Sequence, residues 1–222
     1  MNLMPNKILV IFLSGLGNAI LFRPFLAALK RFKSEMHIDM LIENKIVEDI
    51  LTPDGLVDKY WYWSDSVFSR LFLLSRLRDN KYDAIVTTFE AQGWKLALFA
   101  RLIGQSERIG YRKSRWYDAL YTTVLPIDKS AHEVQRHLLL LSAFGIDCSL
   151  AEADISLQLD ENTYAYLPKY FIEGRLRVCM HAGSSDNLSK KRWPLNKFIE
   201  LGGQIYQKYG AQIIFVGGKN ER

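Results

Sequence analysis

The strongest constraint in this chain is a nearly unbroken apolar run at residues 8–13 that breaks at Ser14-Gly15-Leu16-Gly17-Asn18. Apolar residues then resume at helical spacing through Ile20, Leu21, Phe25, Leu26 and Leu29. A strand that is apolar on both faces has to be covered on both faces, the pattern of a parallel sheet held between two helical layers. The cations Lys30, Arg31 and Lys33 close the helical stretch, where they complement the helix dipole. Pro24 interrupts it. Because proline lacks an N–H, an irregular first turn is expected, with the regular helix starting near Arg23.

The same grammar recurs. Residues 36–42, 57–63, 83–88 and 108–110 read as strands. Residues 44–51, 65–78, 92–103 and 133–144 read as helices, the last ending at Gly145 as a C-cap. This alternation predicts an α/β, doubly wound parallel sheet. Residues 146–175 are less regular and are expected to connect two domains. A second unit follows, with a strand at 176–181, a helix at 194–209 opened by Pro194, and a strand at 211–216. The expected organisation is an N-terminal Rossmann-like domain over 1–165 and the first βαβ of a second over 166–222.

With 49% hydrophobic and 24% charged residues, the chain can build a core and is not a disordered segment. No stretch reaches the roughly 18 apolar residues that cross a bilayer. The first apolar run leads into the glycine loop, not a signal-peptide cleavage site, so a cytoplasmic protein is expected. Cys148 and Cys179 form no CxxC or Cys/His cluster; no metal is expected, and both read as buried free thiols. A net charge of +5 suits anionic substrates or a membrane surface. The basic residues are scattered and form no nucleic-acid-binding pattern, which argues against nucleic acid as a partner.

Two loops could carry chemistry. In residues 14–18 the glycines would let backbone N–H groups approach an anion at a helix N-terminus. The alternative is a tight βα turn that needs positive φ. With Ile20 where a dinucleotide fingerprint has its third glycine, the motif is a weak dinucleotide signal. In the second loop Gly183, Ser184 and Ser185 are followed by Lys190, Lys191 and Arg192 just before a helix, a set suited to phosphate or diphosphate. Its alternative is a solvated basic turn with Trp193 as an apolar anchor. Arg112, Lys113, Arg115 and Trp116 form a basic, aromatic loop fit for phosphorylated sugars or anionic head groups. Residues 67–78, with Phe68, Leu71, Phe72 and Leu74 among Arg70, Arg76 and Arg78, are expected to be the buried face of a helix. A helix lying on a membrane is the alternative.

Taken in order, these segments resemble glycosyltransferase family 9, the heptosyltransferases. The resemblance rests on Ile8-Leu9-Val10-Ile11 through Gly15-Leu16-Gly17-Asn18-Ala19-Ile20-Leu21, on Tyr82-Asp83-Ala84-Ile85 with Gln92-Gly93, and on Arg108-Ile109-Gly110-Tyr111. It continues with His132-Glu133-Val134 and Arg136, His181-Ala182-Gly183-Ser184, Lys191-Arg192-Trp193-Pro194, and Gly217-Gly218 with Glu221. It implies a GT-B fold of two Rossmann-like domains. The first would take a lipopolysaccharide-core or other glycan or glycolipid acceptor and the second a nucleotide-sugar donor, typically ADP-heptose. Transfer would invert the anomeric centre without metal or cofactor. Lys191 would hold the donor phosphates with Gly183, Ser184 and Ser185, and Glu221 the ribose hydroxyls. Ser14, Gly15, Gly17 and Arg112 would face the acceptor. The family's donor domain runs well past residue 222, so the sequence is expected to be a fragment. Peripheral contact with the inner face of the cytoplasmic membrane is a further expectation.

One departure matters. The family carries an Asp just after the first glycine loop, where this chain has Asn18. Inverting transfer needs a base for the acceptor hydroxyl, and an amide can orient that hydroxyl but not deprotonate it. Glu90, beyond the strand at 83–88, is the candidate base, and Glu133 the second. Two alternatives stay open: a non-catalytic sugar- or nucleotide-binding relative, and a GT-B-type sugar-nucleotide epimerase.

Overall fold

The structure is a computed structural model that describes residues 4–91, 93–104, 106–113, 116–158, 165, 167–183 and 192–217. The chain divides into two compact units, Met1–Gln158 and Leu159–Arg222.

The first unit is built on a six-stranded sheet of order β3-β2-β1-β4-β5-β6, with every neighbouring pair parallel. The strands are β1 (Lys7–Ile11), β2 (His37–Ile42), β3 (Lys59–Tyr62), β4 (Ala84–Thr87), β5 (Glu107–Tyr111) and β6 (Thr123–Leu125). The helices are α1 (Leu16–Phe32), α2 (Lys45–Leu51), α3 (Val67–Asp79), α4 (Trp94–Ile103) and α5 (Glu133–Leu138). The period of two in β1 sorts its side chains between two cores. Ile8 and Val10 pack with Phe22, Phe25 and Leu29 of α1 and Val134 and Leu138 of α5. Leu9 and Ile11 pack with Leu73 and Leu77 of α3 and Phe99, Ala100 and Ile103 of α4. The sheet is thus covered on both sides, as the continuous apolar run required.

Several boundaries differ from expectation. α1 begins at Leu16, not near Arg23, and Pro24 sits inside it. The missing N–H removes one ladder bond, at a cost of about 3 kcal/mol. Phe22, Phe25, Leu26 and Leu29 on the same helix are fully buried, each contributing about 1.5–3 kcal/mol, so packing outweighs the lost bond. The helix expected over 133–144 is α-helical only to Leu138; Leu139–Phe144 tightens to a 3-10 turn that ends at Gly145 with φ 73°. Strand β6 was not expected from sequence. Its three residues are all half-buried, too short a run to stand out. In α3 the buried residues are Leu73 and Leu77, whereas Phe68, Leu71 and Phe72 are exposed, the reverse of the buried stripe expected there.

The second unit holds β7 (Arg177–His181), α6 (Leu195–Tyr209) and β8 (Gln212–Val216), with β7 and β8 parallel. Gly202 is buried on α6, where a Cβ would make ordinary contact with Ile213 of β8 at 3.4 Å. Cys148 is half-buried and Cys179 exposed, both free, so the buried-thiol expectation fails. Met180 is buried while its neighbours Cys179 and His181 are exposed, so Cys179 lies on the opposite face of the short sheet.

Candidate functional site

The strand order reverses direction between β1 and β4, and in open parallel sheets ligands bind outside the carboxyl ends of the strands at such a switch point. The loop after β1 carries Ser14, Gly15, Gly17 and Asn18. The loop after β4 carries Phe89 and Glu90, that after β5 Arg112 and Lys113, and that after β6 Ile127 and Lys129.

Gly15 caps α1 with φ −84° and ψ 178°, an extended conformation open to any residue, and its helix lacks a side-chain cap. Among the described residues the glycines at positive φ are Gly55, Gly145, Gly174 and Gly210, and Gly17 is not one of them. The alternative of a turn that demands positive φ is therefore corrected. Nor is either glycine needed for packing, because a Cβ at Gly15 or Gly17 would meet nothing within 4 Å. What the two glycines do is leave backbone N–H groups at the start of α1 open to a close approach. Asn18 is half-buried, and its amide donates to Ser14 Oγ at 2.5 Å, which fixes the side chain at the mouth of the loop.

Glu90 does follow a carboxyl strand end, but it points inward. Its side chain is 13% exposed and Oε1 lies 3.3 Å from Nε2 of the fully buried His137. Both carboxylate oxygens are shielded from solvent, and neither has a hydrogen-bond partner among the described residues. His137 stacks on Phe89 at 4.8 Å and meets Phe22 edge-on at 5.1 Å. The guanidinium of Arg136 covers Phe89 at 4.7 Å. A base has to reach the proton it takes, directly or through one water; here that requires Phe89 and its neighbours to yield. Glu133 is half-buried in the first turn of α5, 3.6 Å from Arg136, and His132 caps that helix by accepting from the Val134 amide.

A cavity of about 620 Å3 is lined by Gly93, Trp94, Arg112, Lys113, Tyr117, Ile127 and Lys129. Three cations and two aromatic rings make it suited to an anionic, ring-shaped ligand. Lys113 donates through Nζ to the Phe89 carbonyl at 2.9 Å, and its amide donates to Asp118. Burial pulls its ammonium below the ordinary lysine value, with Glu90 and Asp118 opposing. Arg108 serves the scaffold: it is buried and donates to the carbonyls of Leu120 and Ser106. Gly110 has a packing reason, since a Cβ there would fall 2.6 Å from the Tyr121 ring.

The structure thus brings the 14–18 loop, Glu90 and Arg112 to one end of one sheet. Gly183 is half-buried just after β7. Ser184, Ser185, Lys191 and Glu221 lie outside the described residues, as do Gln92 and Arg115 of the sequence motifs. Trp193 packs edge-on against Phe198 at 5.0 Å. Sequence reasoning missed His137, which reads as part of a helix's apolar stripe, and Lys129, in a stretch without periodicity. Among the described residues no group of three or more His, Cys, Asp or Glu side chains is placed to hold a metal ion.

A parallel sheet of order 3-2-1-4-5-6 with a glycine loop at its switch point, followed by a separate βαβ unit, defines an α/β fold of GT-B type. Solved structures share it. A family 9 glycosyl transferase from Veillonella parvula DSM 2008 superposes with a TM-score of 0.79 at 19% identity, covering 99% of this chain and 65% of that one. The E. coli heptosyltransferase WaaC with ADP-2-deoxy-2-fluoro heptose superposes with a TM-score of 0.71 at 18% identity, covering 97% and 70%. Residues 70–222, well over half of the sequence, match glycosyltransferase family 9 (heptosyltransferase), and the chain belongs to that family. Lipopolysaccharide heptosyltransferase 1 of Campylobacter coli is 25% identical over 228 residues, an alignment covering 96% of this chain and 65% of that protein. The chain therefore spans just under two thirds of that relative's length. No helix among the described residues is long and apolar enough to cross a membrane.

Proposed function

We propose that this chain is part of a glycosyltransferase that moves a sugar, a heptose by family, from a nucleotide-diphosphate donor of the ADP-heptose kind to a lipopolysaccharide-core-type acceptor, with inversion and without a metal. In this reading the N-terminal domain, expected from sequence over residues 1–165, takes the acceptor. Its anionic groups sit in the cavity of Arg112, Lys113 and Lys129, and its hydroxyl is oriented by Asn18 at the 14–18 loop. The C-terminal domain, expected from sequence to start at residue 166, holds the donor. Gly183, Ser184, Ser185 and Lys191 neutralise the departing diphosphate, and Glu221 holds the ribose. Glu90, freed from under Phe89 when substrate binds, takes the hydroxyl proton.

The observation that carries the reading is the cation- and aromatic-lined cavity beside the glycine loop at the sheet's switch point, in a chain of family 9. The test is to incubate the intact protein with ADP-heptose and a lipopolysaccharide inner-core acceptor and follow ADP release and product mass. Acceptor-dependent ADP release is expected. Donor binding with no turnover would instead support the second reading, a non-catalytic relative. That reading is favoured by Asn18 in place of an Asp and by the shielded Glu90 carboxylate.

A further inference from the structure

Several buried polar atoms that make no hydrogen bond among the described residues gather in one place. Thr88 Oγ1, both carboxylate oxygens of Glu90, both ring nitrogens of His137 and Nε of Arg136 belong to the turn after β4 and to the last turn of α5. Shielding polar groups from water without giving them partners is unfavourable, so something has to hold this arrangement shut. One part of the clasp is the ring of Phe89, which stacks on His137, meets Tyr111 edge-on at 5.8 Å and lies beneath the Arg136 guanidinium. The other part is Lys113, whose ammonium donates to the Phe89 carbonyl at 2.9 Å. Glu90 is the next residue in the chain, so whatever frees Phe89 also frees the carboxylate.

Lys113 belongs to the cavity as well as to the clasp, because its side chain lines that space together with Arg112 and Lys129. Lys113 is half-buried, while Arg112 and Lys129 are exposed. Burial works against its charge, and the negative charges of Glu90 and Asp118 work for it. Its ammonium therefore gains from any further negative neighbour. A backbone carbonyl offers only a partial charge. A phosphate offers a full one, and a hydrogen bond in which both partners are ionised is roughly twice as strong as a neutral one. An anion in the cavity thus competes with the Phe89 carbonyl for the same donor. A ligand shifts an equilibrium only as far as it binds the two states differently. Here the difference is the Lys113 donor, which turns to the anion only when the Phe89 carbonyl lets it go. The unpartnered polar atoms beneath Phe89 then favour opening, since water can reach them.

We propose that Lys113 is a positioning residue that couples the cavity to Glu90: a phosphate group entering the cavity draws the Lys113 ammonium off the Phe89 carbonyl, which releases the Phe89 turn and exposes the Glu90 carboxylate. The inference rests on the reading that this cavity takes the acceptor's anionic groups, and it adds the link from their binding to the base. Its test is labelling of carboxyl groups in the intact protein with a water-soluble carbodiimide and glycine ethyl ester, read by peptide mass spectrometry. Sodium sulfate serves as the phosphate stand-in, with sodium chloride at equal ionic strength as the reference. Glu90 labelling is expected to rise by about tenfold in sulfate, the weight of one hydrogen bond to a charged group. The fully buried Asp39 is the internal standard and should stay unlabelled in both salts. Lys113→Met should label at Glu90 about tenfold faster than the wild type in chloride and gain nothing from sulfate. Lys113→Arg, which keeps a charged donor, should restore both the protection and the response. Lys129→Met should leave the chloride rate unchanged and require more sulfate. The proposal is overturned by a wild-type Glu90 equally protected in both salts, by a Lys113→Met variant as protected as the wild type, or by Asp39 labelling that rises alongside Glu90. Acceptor-dependent ADP release from a protein whose Lys113→Met variant keeps the sulfate response would sink this inference and leave the proposed function standing. Sulfate-dependent exposure of Glu90 without any transfer would do the reverse.

Discussion

Gly110→Ala offers the sharpest test of the first unit's packing. Gly110 lies in β5 opposite Val124 of β6, and the residue before it, Ile109, pairs with both Val86 of β4 and Thr123 of β6, so its backbone is held by the sheet. A Cβ built there falls 2.6 Å from Tyr121 Cε1 and 2.8 Å from both Cδ1 and Cζ, whereas ordinary contact begins at 3.4 Å. Tyr121 is 6% exposed, so its ring can move only by displacing the neighbours packed around it. Overpacking of this kind costs about 1–3 kcal/mol. Alanine returns about 0.4–1 kcal/mol by restricting the unfolded chain, leaving a net loss centred on roughly 1.3 kcal/mol. At about 2–4 °C per kcal/mol for a domain of this size, Tm should fall by roughly 3–5 °C. Tryptophan fluorescence is the suitable probe, because Trp61, Trp63, Trp94 and Trp116 lie in this unit and Trp193 alone in the other. In a Tyr121→Ala background the same substitution should cost little, since the clashing atoms are gone. An unchanged Tm for Gly110→Ala, or an equal loss with Tyr121 truncated, would refute the argument.

Four further outcomes are expected. Glu90→Gln should abolish transfer in the intact protein while leaving its melting curve cooperative; undiminished turnover removes Glu90 as the base. Asn18→Asp should raise the acceptor-dependent rate if a base is what this loop lacks, by up to the 10²–10⁴-fold typical of general-base catalysis, and a rate no higher than wild type would locate the base elsewhere. Lys191→Ala should weaken ADP-sugar binding by calorimetry; an affinity equal to the wild type rejects its phosphate role. The fourth concerns pH. Burial pushes the Asp58 carboxyl up, but hydrogen bonds from the Ile38 amide and the Lys30 ammonium, with the charges of Lys30 and His37, outweigh it and hold the group below the usual range. Its stabilisation is therefore complete above the unfolded aspartate value of about 4 and is lost as pH falls through the lower folded value. Asp58→Asn should flatten that part of the acid-unfolding profile, and an identical profile would contradict the assignment.

The Glu90–His137 pair illustrates how differently sequence and structure speak. Glu90 was legible as a carboxylate just beyond a strand, because a run such as residues 83–88 fixes where a chain leaves a sheet. Nothing in the sequence says which way its side chain turns. That depends on the packing of Phe22, Phe89 and His137, with Phe89 stacked on the His137 ring and Phe22 edge-on to it. The two glycines of the first loop behave alike: their type was read from sequence, but only the coordinates exclude a conformational or packing reason for them.

Local periodicity and turn chemistry act over a few residues, and they determined the strand–loop–helix order, the parallel sheet, the glycine loop and the family resemblance. Tertiary packing decided the rest. It decided which apolar residues of α3 the core would take, since apolar side chains occur on more than one side of this helix and only the sheet beneath chooses Leu73 and Leu77 over Phe68 and Phe72. It also assembled the cavity of Trp94, Arg112, Lys113 and Lys129 from three loops far apart in the chain. Those loops meet because parallel pairing sets the carboxyl ends of β4, β5 and β6 side by side, a relation that no short window of sequence contains.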